Sequence, residues 1–244
     1  IGPLALSNAT GFGDEPFFAA DEIQIAVATL PLLKSQIEMD TLKLYGAQVN
    51  LAANADGVTN WTDLSGEPSD EKSSGDISVI ALGGVDIRDA KISWRDATSG
   101  QTVDIDKLNM STGAVVFGDP TAFEISLGAL VNKPALDSDI KLVGTISYDL
   151  GEEKYRVEPL NLDVKMRGKS LPGRAATITT RAIVDVDLKE GLAHINQLKL
   201  VGLGTQLVGD IEVTNIESAT PGARGSIDLQ GDDLALLFRA FELP

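Results

Sequence analysis

Apolar residues recur along the chain at every second position, the spacing of a strand with one buried and one wet face. "IQIAV" puts Ile23, Ile25 and Val27 on one face. In "QIEMDTLKLYGAQVNL", Ile37 and Met39 share one parity, while Leu42 and Leu44 take the other. A one-residue slip swaps the faces of a strand, so the pattern predicts a bulge or kink near Asp40. "FEISLGAL" presents Phe123, Ile125, Leu127 and Ala129, and "LNLDVKM" presents Leu160, Leu162, Val164 and Met166. "TITTRAIVDVDL" aligns Ile178, Ala182, Val184, Val186 and Leu188, and "QLVGDIEV" aligns Leu207, Ile211 and Val213. Polar residues fill the positions between, so each strand keeps one wet face.

Helix signals are few. "LPLLKSQ" (30–36) predicts one turn, with Pro31 at an early helical position. "DDLALLFRAFEL" starts on Asp232 and Asp233 and repeats Leu234, Leu237, Phe238 and Phe241 at helical spacing. A C-terminal helix is therefore expected near 232–242. "SGEPSDEKSSGD" (65–76) has nothing apolar to bury and predicts a flexible linker. The expected organisation is an N-terminal β portion (1–64), that linker, and a longer β portion with its helix (77–244). "LKLYG" (42–46), "IKLVG" (140–144) and "LKLVG" (198–202) echo one another at irregular spacing, which is no fixed repeat. The echo suits a sheet extended by similar antiparallel strands, and equally the common look of short β pentapeptides.

Composition narrows the class. The chain has 244 residues, enough to bury a core, and its formal net charge is −16, from 36 acidic and 20 basic residues. No Lys/Arg cluster offers a footprint for nucleic acid. The chain has no cysteine, which excludes disulfides, thiolate metal sites and cysteine nucleophiles. Apolar residues make up 43% and aromatics only 5%, so the greasy surface is aliphatic. No run reaches the ~20 apolar residues of a membrane span. The chain opens on "IGPLALSN" without Met and reads as an excised segment, whose targeting sequence could lie upstream.

The stretch "NLAANADGVTNW" (50–61) raises the first question of chemistry. Asn54-x-Asp56-Gly57 has the oxygen-rich start of a calcium loop, but a strand precedes it and no Glu closes it. Asp-Gly is a common hairpin dipeptide, so the stretch predicts a turn without metal, with Trp61 capping the end of the sheet. The single histidine, His194, lies in a strand pattern with no G-x-S-x-G and no cysteine, so neither a triad nor a usual zinc site can be assembled. "GLGTQL" (202–207) carries Leu207 where a dinucleotide loop needs its third Gly, and reads as a hairpin turn. Asp86, Asp89, Asp96, Asp104 and Asp106 crowd one region; a hydrolase pair is conceivable, but their alternation with apolar residues reads as wet strand faces. Asn8, Asn60 and Asn109 open glycosylation sequons, which matter only in a eukaryotic secretory protein.

A longer pattern surrounds the opening stretch. Gly-Phe-Gly followed by Glu-Pro-Phe (11–17), a strand, "LPLL" (30–33), a strand, and Asn-x-Asp-Gly-x-x-Asn-Trp (54–61) together resemble the N-terminal region of the AsmA family. "GGVDIRDAKISWRDATSGQTVDIDKLNMSTG" (83–113) resembles that family's next segment, so the resemblance covers about the first half. It implies a bacterial envelope protein held in the inner membrane by an N-terminal helix that this chain does not contain. It further implies a periplasmic, elongated, curled β-groove, linked to outer-membrane assembly and to phospholipid movement between membranes. The resemblance brings no catalytic motif, metal or cofactor.

Three readings of function stand at this point. In the first, a non-enzymatic β-groove binds acyl chains, which suit one-faced aliphatic strands and need no fixed polar contact. The expected lining residues are Ile23, Ile25, Val27, Leu42, Leu44, Ile125, Leu127, Leu162, Val164, Val184, Val186, Ile211 and Val213. The second reading is a structural or chaperone-like factor that contacts envelope proteins through exposed strand edges. The third, a glycan-active enzyme, requires two close carboxylates in a cleft.

Overall fold

The computed structural model describes residues 2–25, 38–62, 81–116, 118–218 and 220–231. The turn expected at 30–36, the linker 65–76, Val27 and the helix near 232–242 lie outside the described residues.

The described chain is mainly β, as the period-2 pattern predicts. In chain order the strands are β1 (Leu4–Leu6), β2 (Phe18–Ala20), β3 (Glu22–Gln24), β4 (Glu38–Met39), β5 (Leu42–Tyr45), β6 (Gln48–Ala53), β7 (Ala81–Leu82) and β8 (Val85–Asp96). They continue with β9 (Gln101–Thr112), β10 (Thr121–Asn132), β11 (Ala135–Asp149), β12 (Lys154–Gly168), β13 (Ala175–Asp187), β14 (Leu192–Gly202), β15 (Thr205–Thr214) and β16 (Gly222–Gly231). One open sheet takes 14 of these strands, and β4 with β7 forms a small parallel pair. Among the described residues no helix is long and apolar enough to cross a membrane.

Two compact units divide the chain. The first comprises Ile1–Phe117 with Leu127–Leu136, the second Gly118–Ser126 with Asp137–Pro244. In the first unit the order is β1-β2-β6-β8-β9, with β5 also paired to β8 and β3 paired to β5. Here the antiparallel expectation needs correcting, because β5 and β6 both run parallel to β8. Parallel neighbours need a long crossover, and the chain from Ala53 to Val85 supplies one. The second unit carries β12-β13-β14-β15-β16, antiparallel throughout.

The parity slip read near Asp40 is a change of sheet. β4 ends at Met39 and pairs with β7, whereas β5 starts at Leu42 and pairs with β8. Further slips lie elsewhere, and all do one job. In β5–β6 the apolar parity changes at Gly46, which is left-handed with φ 59°. In β8 it changes at Asp89 (φ 52°) and in β9 at Lys107 (φ 50°). In the second unit the register shifts between Val157 and Leu160, around Pro159, and between Ile195 and Leu198, where Gln197 has φ 52°. Each bulge adds one residue, so apolar side chains on either side of it stay on the same face.

A bulge strands backbone N–H groups, and the sequence provides for them. The Asp89 N–H donates to Asn109 Oδ1 at 3.1 Å, and the Gln197 N–H to Asp210 Oδ1 at 2.8 Å. Pro159 has no N–H to satisfy, which suits proline at a bulge. Small residues sit on the apolar face at these bends. Ala20, Ala47 and Ala90 in the first unit and Ala182 in the second are each at most 4% exposed.

Candidate functional site: one apolar sheet face in each unit

The register of the second unit sorts its side chains cleanly. Val157 faces Val184, which faces Ile195, which faces Ile211. Tyr155, Val186, Ala193 and Val213 form the next row, and Leu162, Thr180, Leu200 and Leu207 another. Val164 and Ile178 are opposite one another beyond that. Leu162, Val164, Val184, Val186, Ile211 and Val213 therefore share one face, and each is half-buried. No charged residue occupies these rows. Among the described residues the one large apolar side chain buried outright is Leu171, and the greasy side chains of this face stay partly exposed.

The opposite face carries charge. Arg156, Asp185, His194, Glu212 and Arg224 stand directly opposite one another on five successive strands. Arg156 reaches Asp185 at 2.6 Å and Glu158 at 2.7 Å, and Arg224 reaches Glu212 at 2.6 Å. His194 Nδ1 lies 4.0 Å from Glu212. Hydrogen bonds to Glu158 and Asp185 push the Arg156 guanidinium above its ordinary pKa. A cavity of about 460 Å³ lies where Lys154, Arg156, Asp185, Asp187 and His194 of this face meet Tyr148, Tyr155 and Val186. Its ionic groups are largely matched to one another.

In the first unit Leu42 pairs with Val85, and Ile23, Leu44, Ile87 and Met110 form one row across the sheet. Beyond the bend come Phe18, Val49, Ile92 and Ile105, then Leu51, Trp94 and Val103. Ile23, Leu42 and Leu44 are half-buried, whereas Ile25 is 53% exposed just past β3. Ile125 and Leu127 lie half-buried along β10, the former in the second unit and the latter in the first.

The stretch 54–61 is a turn. The Gly57 N–H donates to Asn54 O, and Asn54 Oδ1 accepts from the N–H groups of Asp56 (2.9 Å) and Val58 (3.0 Å). Gly57 takes the left-handed φ of 80° that such a turn requires. Trp61 packs against Trp94 with ring centroids 5.7 Å apart. Asn60 has a role that the sequence did not disclose. Only 1% exposed, it accepts from the Ala52 N–H at 2.9 Å and donates to Asn50 O at 2.7 Å and Asn8 Oδ1 at 2.8 Å. Asn50 in turn donates to Pro16 O at 2.7 Å and accepts from Ser93 Oγ at 2.8 Å. The Gly-Phe-Gly, Glu-Pro-Phe and Asn-Trp signatures thus converge on one asparagine network that ties the segment before β2 to β6. The available signal was Asn50 and Asn60 within the quoted stretch, without their partner Asn8.

The aspartates of this region are separately engaged. Asp86 pairs with Arg88 at 2.8 Å, and Asp104 pairs with Arg95. Asp96 closes the β8–β9 turn, and the hydroxyls of Ser99 and Thr98 with the Thr98 N–H lower its pKa from 3.8 to about 2. "GLGTQL" forms a two-residue hairpin, with Leu203 and Gly204 both at positive φ and Gly202 opposite Thr205. No group of three or more His, Asp or Glu placed to hold a metal occurs among the described residues.

No curated protein and no solved structure matches the chain. The sequence profile of the AsmA family matches residues 2–220, well past the half that carries the recognisable motifs. With that coverage, and with the family's signature residues meeting in one network on an open β-sheet, the chain belongs to the AsmA family.

Proposed function

We propose that this chain is a non-enzymatic, acyl-chain-binding part of a bacterial envelope protein, located in the periplasm and tethered to the inner membrane. In this role it helps phospholipid pass between the inner and outer membranes. The observation that supports the reading best is the second unit's face, where Leu162, Val164, Val184, Val186, Ile211 and Val213 lie together with no charge among them. Acyl chains gain ~0.8 kcal/mol per buried CH₂ from such a surface and ask for no fixed polar partner. Native mass spectrometry of the purified chain tests the reading. Co-purified phospholipid is expected, and a lipid-free protein that also ignores a fluorescent fatty acid would overturn it.

One observation favours a second reading, contact with envelope proteins. β16 lies at an end of the strand order, and every residue in it except Leu229 is exposed. Such an edge accepts an added strand. Charged substitutions on β16 that abolish partner capture while leaving lipid binding intact would favour it.

A further inference from the structure

The apolar face of the first unit is polarised from end to end. At one end the face closes on the apolar pair Leu42 and Val85. At the other, the row of Leu51, Trp94 and Val103 gives way in a single step to Ala53, Asp96 and Gln101. Beyond that step lies the β8–β9 turn, which is rich in polar groups, with Lys133 Nζ donating to Ser99 O at 2.8 Å. The two tryptophans are the only ones in the chain, and both stand on this boundary, 5.7 Å apart. Neither indole N–H has a protein acceptor among the described residues, and both rings are half-buried. Tryptophan favours places where one side is hydrocarbon and the other is wet, because its ring is apolar and its N–H seeks an acceptor.

We infer that Trp61 and Trp94 mark the end of this face at which a bound phospholipid places its ester linkages and head group. The acyl chains then run from the tryptophans toward Ile87 and Val85. This rests on the acyl-chain reading above. From Trp94 to Val85 the strand covers nine residues, or about 30 Å at the usual rise, against about 15 Å for one leaflet of hydrocarbon. A chain laid in the opposite sense at this boundary would bring its methyl end against Asp96 and set its ester oxygens about 15 Å along the strand, among the apolar side chains of Ile92 and Ala90.

Because no other tryptophan exists, intrinsic fluorescence reads this location alone. The whole chain is titrated with phosphatidylcholine carrying bromines either near the ester or near the methyl end of the acyl chains. Native mass spectrometry reports binding independently. Ester-side bromines are expected to quench about twofold more strongly than methyl-end bromines. Trp61→Phe and Trp94→Phe should each keep that order, since each leaves one reporter on the boundary. Equal quenching, or the reverse order, overturns the orientation. Lipid that is bound by mass but quenches neither tryptophan overturns the placement while leaving the acyl-chain reading in place. Absence of bound lipid by both measurements overturns the acyl-chain reading itself, and this inference with it.

Discussion

The two units solve one problem with different materials. Each must bend a sheet and keep its aliphatic side chains together on one face. The second unit uses long antiparallel strands, bulges at Pro159 and Gln197, and a charge ladder from Arg156 to Arg224 on the wet side. The first uses shorter strands, two of them parallel to β8, and a buried asparagine network that ties β6 to the segment before β2. The second unit's polar contacts are exposed and each is weak, because solvent screens them and long side chains lose freedom in forming them. The first unit's network hangs on Asn60, which is shielded from water, so losing that side chain leaves several backbone groups without partners. The apolar face is the shared design, and what secures each end of it is local.

Breaking the first unit should therefore be easiest at one residue. Asn60→Ala removes three hydrogen bonds and strands the Ala52 N–H and Asn50 O. A loss of about 2–4 kcal/mol is expected. Arg224→Ala in the ladder should change stability by less than about 1 kcal/mol. Urea unfolding of both variants checks the contrast, and equal losses would mean that the ladder carries more of the fold than its exposure implies.

The apolar faces are tested next. Val184→Asp puts a charge among Val157, Ile195 and Ile211, at a penalty of a few kcal/mol for any acyl chain laid there. Asp185→Asn alters the next residue on the opposite face. Binding of a fluorescent fatty acid should fall in the first variant and persist in the second, with folding of both confirmed by circular dichroism. If both bind as wild type, lipid does not use this face of the second unit.

Much of this was legible in the sequence, and the limits have physical causes. Period 2 identified the strands and, within each run, which apolar residues share a face, because one wet face forces alternation. Leu162 with Val164 and Val184 with Val186 needed nothing more. "VDIRDAKISW" also contains its slip, with Val85 and Ile87 on odd positions and Ala90, Ile92 and Trp94 on even ones, but Asp89 there reads as an ordinary wet residue. The three Gly echoes illustrate what short patterns hide. Gly46 is a left-handed bend, Gly144 lies buried beneath the Phe123 ring, and Gly202 packs on Ile178 at the end of β14. The asparagine network stayed hidden because Asn8 and Asn60 are distant in sequence, and no local period links them.

The bends themselves sharpen the comparison at smaller scale. At Gly46 a Cβ would stand 2.0 Å from Asp21 Oδ2 and would have to adopt φ 59°. Gly46→Ala is expected to lower stability by about 1–2 kcal/mol. In the second unit Asp210→Ala deprives the Gln197 N–H of its acceptor, but that bulge is exposed and water can replace it. A loss of about 0.5–1 kcal/mol is expected there. Thermal melts of the two variants decide whether a glycine bend or a capped bulge is the more rigid device.

The smallest effect concerns the β8–β9 turn, and acid reveals it. Asp96 is held at about 2, against 3.8 for a free aspartate, by Ser99 and Thr98. Its folded-state pKa is depressed, so its charged form stabilises the turn at every pH above the unfolded value. That contribution fades as pH falls from 3.8 through about 2, where the carboxylate protonates in the folded state too. Asp96→Asn has no such titration. Above pH 4 the wild type should melt at the higher temperature, and the two curves should converge toward pH 2. Tryptophan fluorescence is the right probe, since Trp61 and Trp94 adjoin this turn and nothing in the second unit contributes to the signal. A constant gap across that window would show that Asp96 acts through shape alone, and that the polar end of the first unit owes nothing to its charge.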